Sequence, residues 1–205
     1  IRMSVITFPS TLKVSDAHWE QVRLDLAFNS VFGSQGVEVD TPRWALTLEA
    51  PPMLEQESGD WQALLMNLRG QTRQLALWNT GRSAPRGTMR GTMTLNIAAE
   101  QGDTTLSIIA DTEAAKTLKS GDWLGLGTGT TQQVVMVTAD ATANGSGVIS
   151  VTVEPPLRNG HLIAAAVTWD KPKALFRRKQ SGASWDYKNV SVSGFSLDLI
   201  EDWRT

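Results

Sequence analysis

Residues 58–70 read as one well-formed amphipathic helix in a chain that otherwise alternates, and that contrast constrains the fold more than any other feature. Trp61, Leu64, Leu65 and Leu68 fall at i, i+3, i+4 and i+7, so a helix places them on one face. Ser58 or Asp60 stands where a side chain caps a helix start, and Gly70 stands where a left-handed residue ends one. Around this stretch the period is two. Val22, Leu24, Leu26 and Phe28 alternate with Gln21, Arg23, Asp25 and Ala27, and Trp44, Leu46 and Leu48 share a face in the next run. Such alternation is the signature of antiparallel strands with one face buried. A lone helix cannot bury its apolar stripe unaided, so it must cover a sheet.

Turn signals divide the chain into three textures. In the first, Gly33-Ser34-Gln35-Gly36 predicts a loop between two strands, Pro51-Pro52 stops the second strand, and 74–78 makes a third. The middle holds six short strands, at 89–97, 105–109, 123–126, 133–138, 148–153 and 164–169. Gln101-Gly102-Asp103, Lys119-Ser120-Gly121-Asp122, Asn144-Gly145-Ser146-Gly147 and Arg158-Asn159-Gly160 separate several of them. Short strands at this spacing predict a small barrel or sandwich. The last texture returns to longer strands, 173–179 and 190–200, which have no partners of their own. Joining them to the first sheet makes the middle an insertion, which a chain tolerates well at an exposed hairpin. The predicted domains are therefore 1–87 plus 173–205, with the helix at 58–69, and an inserted domain at 88–172. Ile1-Arg2 ahead of Met3 reads as a vector or processing remnant.

Composition narrows the chemistry. The 205 residues carry a net charge of −2, with no electrostatic footprint for nucleic acid. No apolar run approaches the roughly 18–20 residues that span a bilayer, so no membrane partner is expected. With no Cys, thiolate nucleophiles and zinc-thiolate sites are excluded. His18 and His161 are the only histidines, and no nucleophile elbow accompanies them. Gly125-Leu126-Gly127-Thr128-Gly129 imitates a phosphate loop, but a strand-like run follows it where a helix is required. Asp60, Asp103, Asp122 and Asp140 fall in predicted turns, where carboxylates satisfy backbone donors. Of the eight Trp, Trp44, Trp61 and Trp78 are predicted to face the core, while Trp19, Trp185 and Trp203 sit near strand ends in polar company. The expectation is a protein that is not an enzyme, with no catalytic, cofactor-binding or metal-binding residues.

One basic cluster remains, Lys171, Lys173, Arg177, Arg178 and Lys179. The plainer reading is a solvated edge strand protected by charge. The functional reading is a contact with an acidic surface, pairing Arg177, Arg178 and Lys179 with Glu201 and Asp202, or with Glu55 and Glu57, of a neighbouring copy.

The order of elements resembles the distal tail proteins of long-tailed phages. The resemblance is carried by Pro42-Arg43-Trp44-Ala45-Leu46-Thr47-Leu48, Pro51-Pro52, and Trp61 through Gly70. Leu75-Ala76-Leu77-Trp78 and Pro85-Arg86-Gly87 follow, then a β insert with Leu118-Lys119-Ser120-Gly121-Asp122-Trp123 and Glu154-Pro155-Pro156-Leu157-Arg158, and a return at Gly194-Phe195-Ser196-Leu197-Asp198-Leu199-Ile200-Glu201. It spans nearly the whole chain, by pattern and spacing more than by identity. It implies a mainly β (α+β) fold: an antiparallel β-sandwich with one covering helix, carrying an inserted OB-like small barrel. It also implies a structural virion protein of the tail tip, made in the host cytoplasm. That protein is a homo-hexameric ring joining the tail tube to the hub and fibres, with the tape measure as a further neighbour, and it has no cofactor. The alternative is a barrel module that binds a saccharide or a single nucleic-acid strand.

Overall fold

The computed structural model describes residues 4–188 and 191–203, with residues 40 and 41 by backbone alone. Ile1 and Arg2, read above as a remnant, lie outside the described residues, as does Met3. The elements run β1 Val5–Thr7, β2 Asp16–Ser30, β3 Gly33–Glu49, β4 Met53–Leu54, α1 Glu55–Asn67 and β5 Gln74–Trp78. Then come β6 Met93–Leu95, β7 Thr105–Ala110, β8 Thr117–Leu118, β9 Trp123–Leu126, β10 Gln133–Val137, β11 Ala141–Thr142, β12 Val148–Glu154 and β13 Ala166–Thr168. The chain closes with β14 Lys173–Arg178, β15 Asp186–Lys188, β16 Ser191–Ser193 and β17 Ser196–Glu201. The fold is mainly β, with a sandwich, a closed OB-like barrel of six strands and, among the described residues, one α-helix.

Two compact units are present. The first comprises Ile1–Glu20, Trp44–Gly81 and Ala174–Thr205, and the second Gln21–Arg43 and Arg82–Lys173. The sequence predicts 21–43 in the first domain. In the structure these residues group with the second unit, where Arg23 reaches Glu154 on β12 at 2.9 Å.

The first unit is built on a six-stranded sheet ordered β1-β5-β14-β17-β3-β2, and a three-stranded sheet ordered β15-β16-β4. Strands β14 with β17, β17 with β3, β15 with β16 and β16 with β4 pair antiparallel, whereas β1 lies parallel to β5, with Val5 opposite Gln74. The predicted strand 190–200 is two strands in two sheets. Gly194, at φ +80°, takes the left-handed backbone that breaks the run, and Val190 lies outside the described residues.

Helix α1 starts three residues earlier than its apolar pattern suggests. Leu54 occupies the N-cap with no side-chain cap, and Glu55 and Glu57 in the first turn face the positive end of the helix dipole. Neither Ser58 nor Asp60 caps it. The buried Ser58 hydroxyl donates to the Glu55 carbonyl at 2.7 Å, and Asp60 accepts from Thr11 Oγ1 at 3.1 Å. Gly70 is left-handed, as expected. The apolar stripe is buried, and Trp61 anchors it. Its indole stacks on Phe195 at 6.0 Å, meets Phe8 edge-on at 6.1 Å, and donates to the Lys13 carbonyl at 3.3 Å. Trp44 is buried as predicted, whereas Trp78 is half-buried. Trp19 packs edge-on against Trp44 and Phe176, and Trp185 stacks on Phe195.

In the second unit the barrel closes as β10-β12-β7-β6-β13-β9, every pair antiparallel. Closure removes sheet edges altogether. Its interior is filled by alternate residues such as Leu106, Ile108, Val135, Ile149, Val151 and Val153. Asp122 secures the entry to the barrel. Its carboxylate is fully buried and accepts three backbone N–H groups, from Arg86 at 2.6 Å, Gly87 at 3.0 Å and Lys119 at 2.7 Å. Gly87 passes so close to the next segment that a Cβ would lie 2.1 Å from the Thr117 carbonyl oxygen. The exit meets the entry where Lys171 N–H donates to the Ser83 carbonyl at 2.7 Å.

Asp122→Ala leaves three buried backbone donors without an acceptor, and should lower stability by about 2–4 kcal/mol, read from the urea unfolding midpoint. Gly87→Ala should be similarly damaging, because backbone must move to admit the methyl group. Thr142→Ala, at an exposed site, should stay within about 0.5 kcal/mol of the parent.

Candidate assembly surface

The basic cluster does not form the surface that its sequence suggests. Strand β14 is not an edge but lies between β5 and β17. Arg178 is buried and donates to the Gly182 carbonyl; burial holds its guanidinium below the usual arginine range, with Asp198 opposing the shift. Glu201 and Asp202 are buried as well. Glu201 accepts the Trp44 N–H at 3.2 Å, and Asp202 accepts from the buried Gln74 amide at 3.0 Å and stands 3.9 Å from Arg177 Nε. Arg178, Glu201 and Asp202 therefore act inside the first unit rather than across an interface. Arg178 takes the strand face opposite Arg177, as alternation predicts, but the central place of β14 in the sheet buries that face. Lys179 stays exposed, as do Glu55 and Glu57, and Glu57 lies 3.4 Å from Lys13.

The remaining candidates resolve as local structure. The glycine-rich stretch is a strand, a 3₁₀ turn at Gly129–Thr131 and a strand, with Gln133 paired to Leu126. Asp103 and Asp140 take turn N–H groups, from Glu100 at 2.8 Å and Ser120 at 2.9 Å. The Lys119 ammonium donating to Asp140 holds its carboxyl below the usual range. Among the described residues no group of three or more His, Asp or Glu could hold a metal ion. No helix among them is long and apolar enough to cross a membrane. Of the two indoles the barrel offers for stacking, Trp123 is buried and Trp169 is covered by the Arg90 guanidinium, 5.3 Å from the ring centroid.

What stands out instead is the ribbon made by the outer parts of β2 and β3. Every residue from 22 to 39 is exposed. The predicted loop at 33–36 is part of β3, and the turn is Val31-Phe32, where Ser30 Oγ accepts the Phe32 N–H at 3.2 Å and donates to the Gly33 carbonyl at 3.1 Å. Arg23 and Glu38 approach to 3.4 Å, so their side chains share a face of the ribbon. By alternation Val22, Leu24, Leu26, Phe28, Val37 and Val39 take the other face. The charged face is the one tied to the rest of the unit, through the Arg23–Glu154 pair, and the apolar face is left in solvent. This reverses the normal polarity of a surface strand. At the base of β2 Ala17, Trp19 and Gln21 are half-buried, and the expectation that the face carrying Val22, Leu24, Leu26 and Phe28 is buried fails.

With the tip, where Val31 is 96% and Phe32 99% exposed, eight large apolar side chains are uncovered on one ribbon. Together they expose on the order of 800 Å², about what one partner contributes to a standard interface. The sequence signal for this surface was the apolar pair Val31-Phe32 at a hairpin turn, a position that favours Gly, Asn and Asp. No protein-family model and no curated protein sequence matches the chain.

His161 supplies a pH test of the barrel end. Its backbone bridges Ala99 with bonds of 2.7 and 2.9 Å, and its buried Nε2 has no hydrogen-bond partner among the described residues. Burial, then the Arg158 charge, hold the imidazole below the usual value near 6.5. The unfolded chain therefore binds the proton more readily than the native one. Stability from this group should be complete above about pH 6.5 and fall as the pH drops below it, levelling off below the folded value. Urea midpoints measured from pH 7.5 to 5 should show this decline, and His161→Gln should flatten it.

Proposed function

We propose that this chain is a structural protein of a phage tail tip. It would form a ring that joins the tail tube to the hub and fibres, with the tape measure nearby. The observation that carries this reading is the ribbon of inverted polarity, an interface-sized apolar surface with unpaired strand edges. Long, flat, apolar edges invite uncontrolled pairing when left bare, and a closed ring covers each of them with its neighbour. A homo-hexamer is the ring that the family resemblance implies. The contacts that hold it are apolar rather than ionic, since Arg178, Glu201 and Asp202 are occupied within their own unit.

The combined substitution Leu24→Asp and Phe28→Asp tests the reading. Both side chains are at least half exposed, so the monomer should keep its circular dichroism and its unfolding midpoint. Ring formation, followed by native mass spectrometry and electron microscopy at high protein concentration, should be lost in the variant and present in the parent. A parent protein that stays monomeric when concentrated, and that antibody labelling never finds at a tail tip, overturns the proposal.

A further inference from the structure

The ribbon tip has a counterpart elsewhere in its own unit. On the barrel, a groove of about 380 Å³ is lined by Arg90, Thr92, Ala166, Thr168 and Trp169, among others. Its walls are fixed in advance. The Trp169 indole donates to the Gly91 carbonyl at 3.0 Å. The Arg90 guanidinium lies over that indole and donates to the carbonyls of Gly87, Met89 and Pro85 at 2.7–2.8 Å. Arg90 is nonetheless exposed, so the groove offers solvent a flat cationic plane that is already immobilised. A pinned guanidinium stacked on one aromatic ring is suited to receive a second on its other face. It gives up little side-chain freedom in doing so.

Phe32 is the most exposed aromatic ring among the described residues. At 99% exposure it touches almost nothing in its own chain. We propose that Phe32 of one copy seats in the Arg90–Trp169 groove of the next, its ring on the outer face of the guanidinium. This rests on the ring reading above and names its contact. Every copy carries both the tip and the groove, so one repeated head-to-tail contact satisfies both, and such a contact closes into a ring when its rotation allows. A foreign occupant of the groove would leave the tip bare, and a foreign partner for the tip would leave the groove bare. The surface exposed on the ribbon, about half of a standard interface, is enough for a stable contact between copies.

The chain has no cysteine, so single-cysteine variants test the contact directly. Val31→Cys places a thiol beside the tip, and Thr92→Cys places one on the groove wall. When the two variants are mixed at high concentration and oxidised, a disulfide-linked dimer should form. Neither variant alone should give it, and Val31→Cys mixed with Ser146→Cys should not. Phe32→Ala should weaken association by roughly 30-fold or more, as truncation of a buried aromatic anchor does, while Phe32→Tyr restores it. Both should unfold like the parent. Rings that form equally well with Phe32→Ala, and never yield the mixed disulfide, overturn this contact but leave the ring reading standing. A parent that forms no oligomer at any concentration overturns both.

Discussion

Trp61 is the residue on which the arrangement of the first unit turns. A helix packed on strands must find a surface of matching shape, and here the match is aromatic: Trp61 stacks on Phe195 and meets Phe8 edge-on. Phe195 can be there only because Gly194 breaks the run, sending β16 into the three-stranded sheet and β17 into the larger one. The helix, the strand break and the N-terminal segment that carries Phe8 and Lys13 thus meet on a single indole. Aromatic pairs of this kind add about 0.5–1.5 kcal/mol each beyond their burial, and the hydrogen bond to the Lys13 carbonyl fixes the ring's direction.

The six barrel strands were legible because each is short, bounded by turn residues and regular in period; the helix was legible because its apolar spacing is unambiguous. The helix start was less so, since Leu54 caps it without a side-chain bond and leaves no mark in the sequence. The single run predicted at 190–200 concealed two strands, because one left-handed glycine is enough to change sheets. Sequence cannot distinguish a charged edge strand from a central strand whose charges are paired internally. That is why Arg178, Glu201 and Asp202 were expected at an interface and are found buried.

The ribbon shows the same limit from the other side. Alternation along β2 correctly separates an apolar from a polar face, yet it carries no information about which face the rest of the chain covers. At the base of the hairpin the apolar face of β3 is core, with Trp44, Leu46 and Leu48 all buried. Further out the phase shifts: by alternation Val37 and Val39 fall on the opposite side of the strand from Trp44, Leu46 and Leu48, and they are exposed. One hairpin thus serves first as interior and then as exterior, and the change falls where the chain passes from one compact unit to the other.

The bond between Lys171 and Ser83 has a consequence for the ancestry of such a chain. Because the entry and exit of the barrel meet at one backbone hydrogen bond, the barrel behaves as a cassette. A short turn joining those two positions could replace it without repositioning β5 or β14, and a larger insert could occupy the same gap. The six-stranded sheet and the inserted barrel can therefore diverge at different rates. Related chains would be expected to keep the sheet while exchanging what is carried between Ser83 and Lys171.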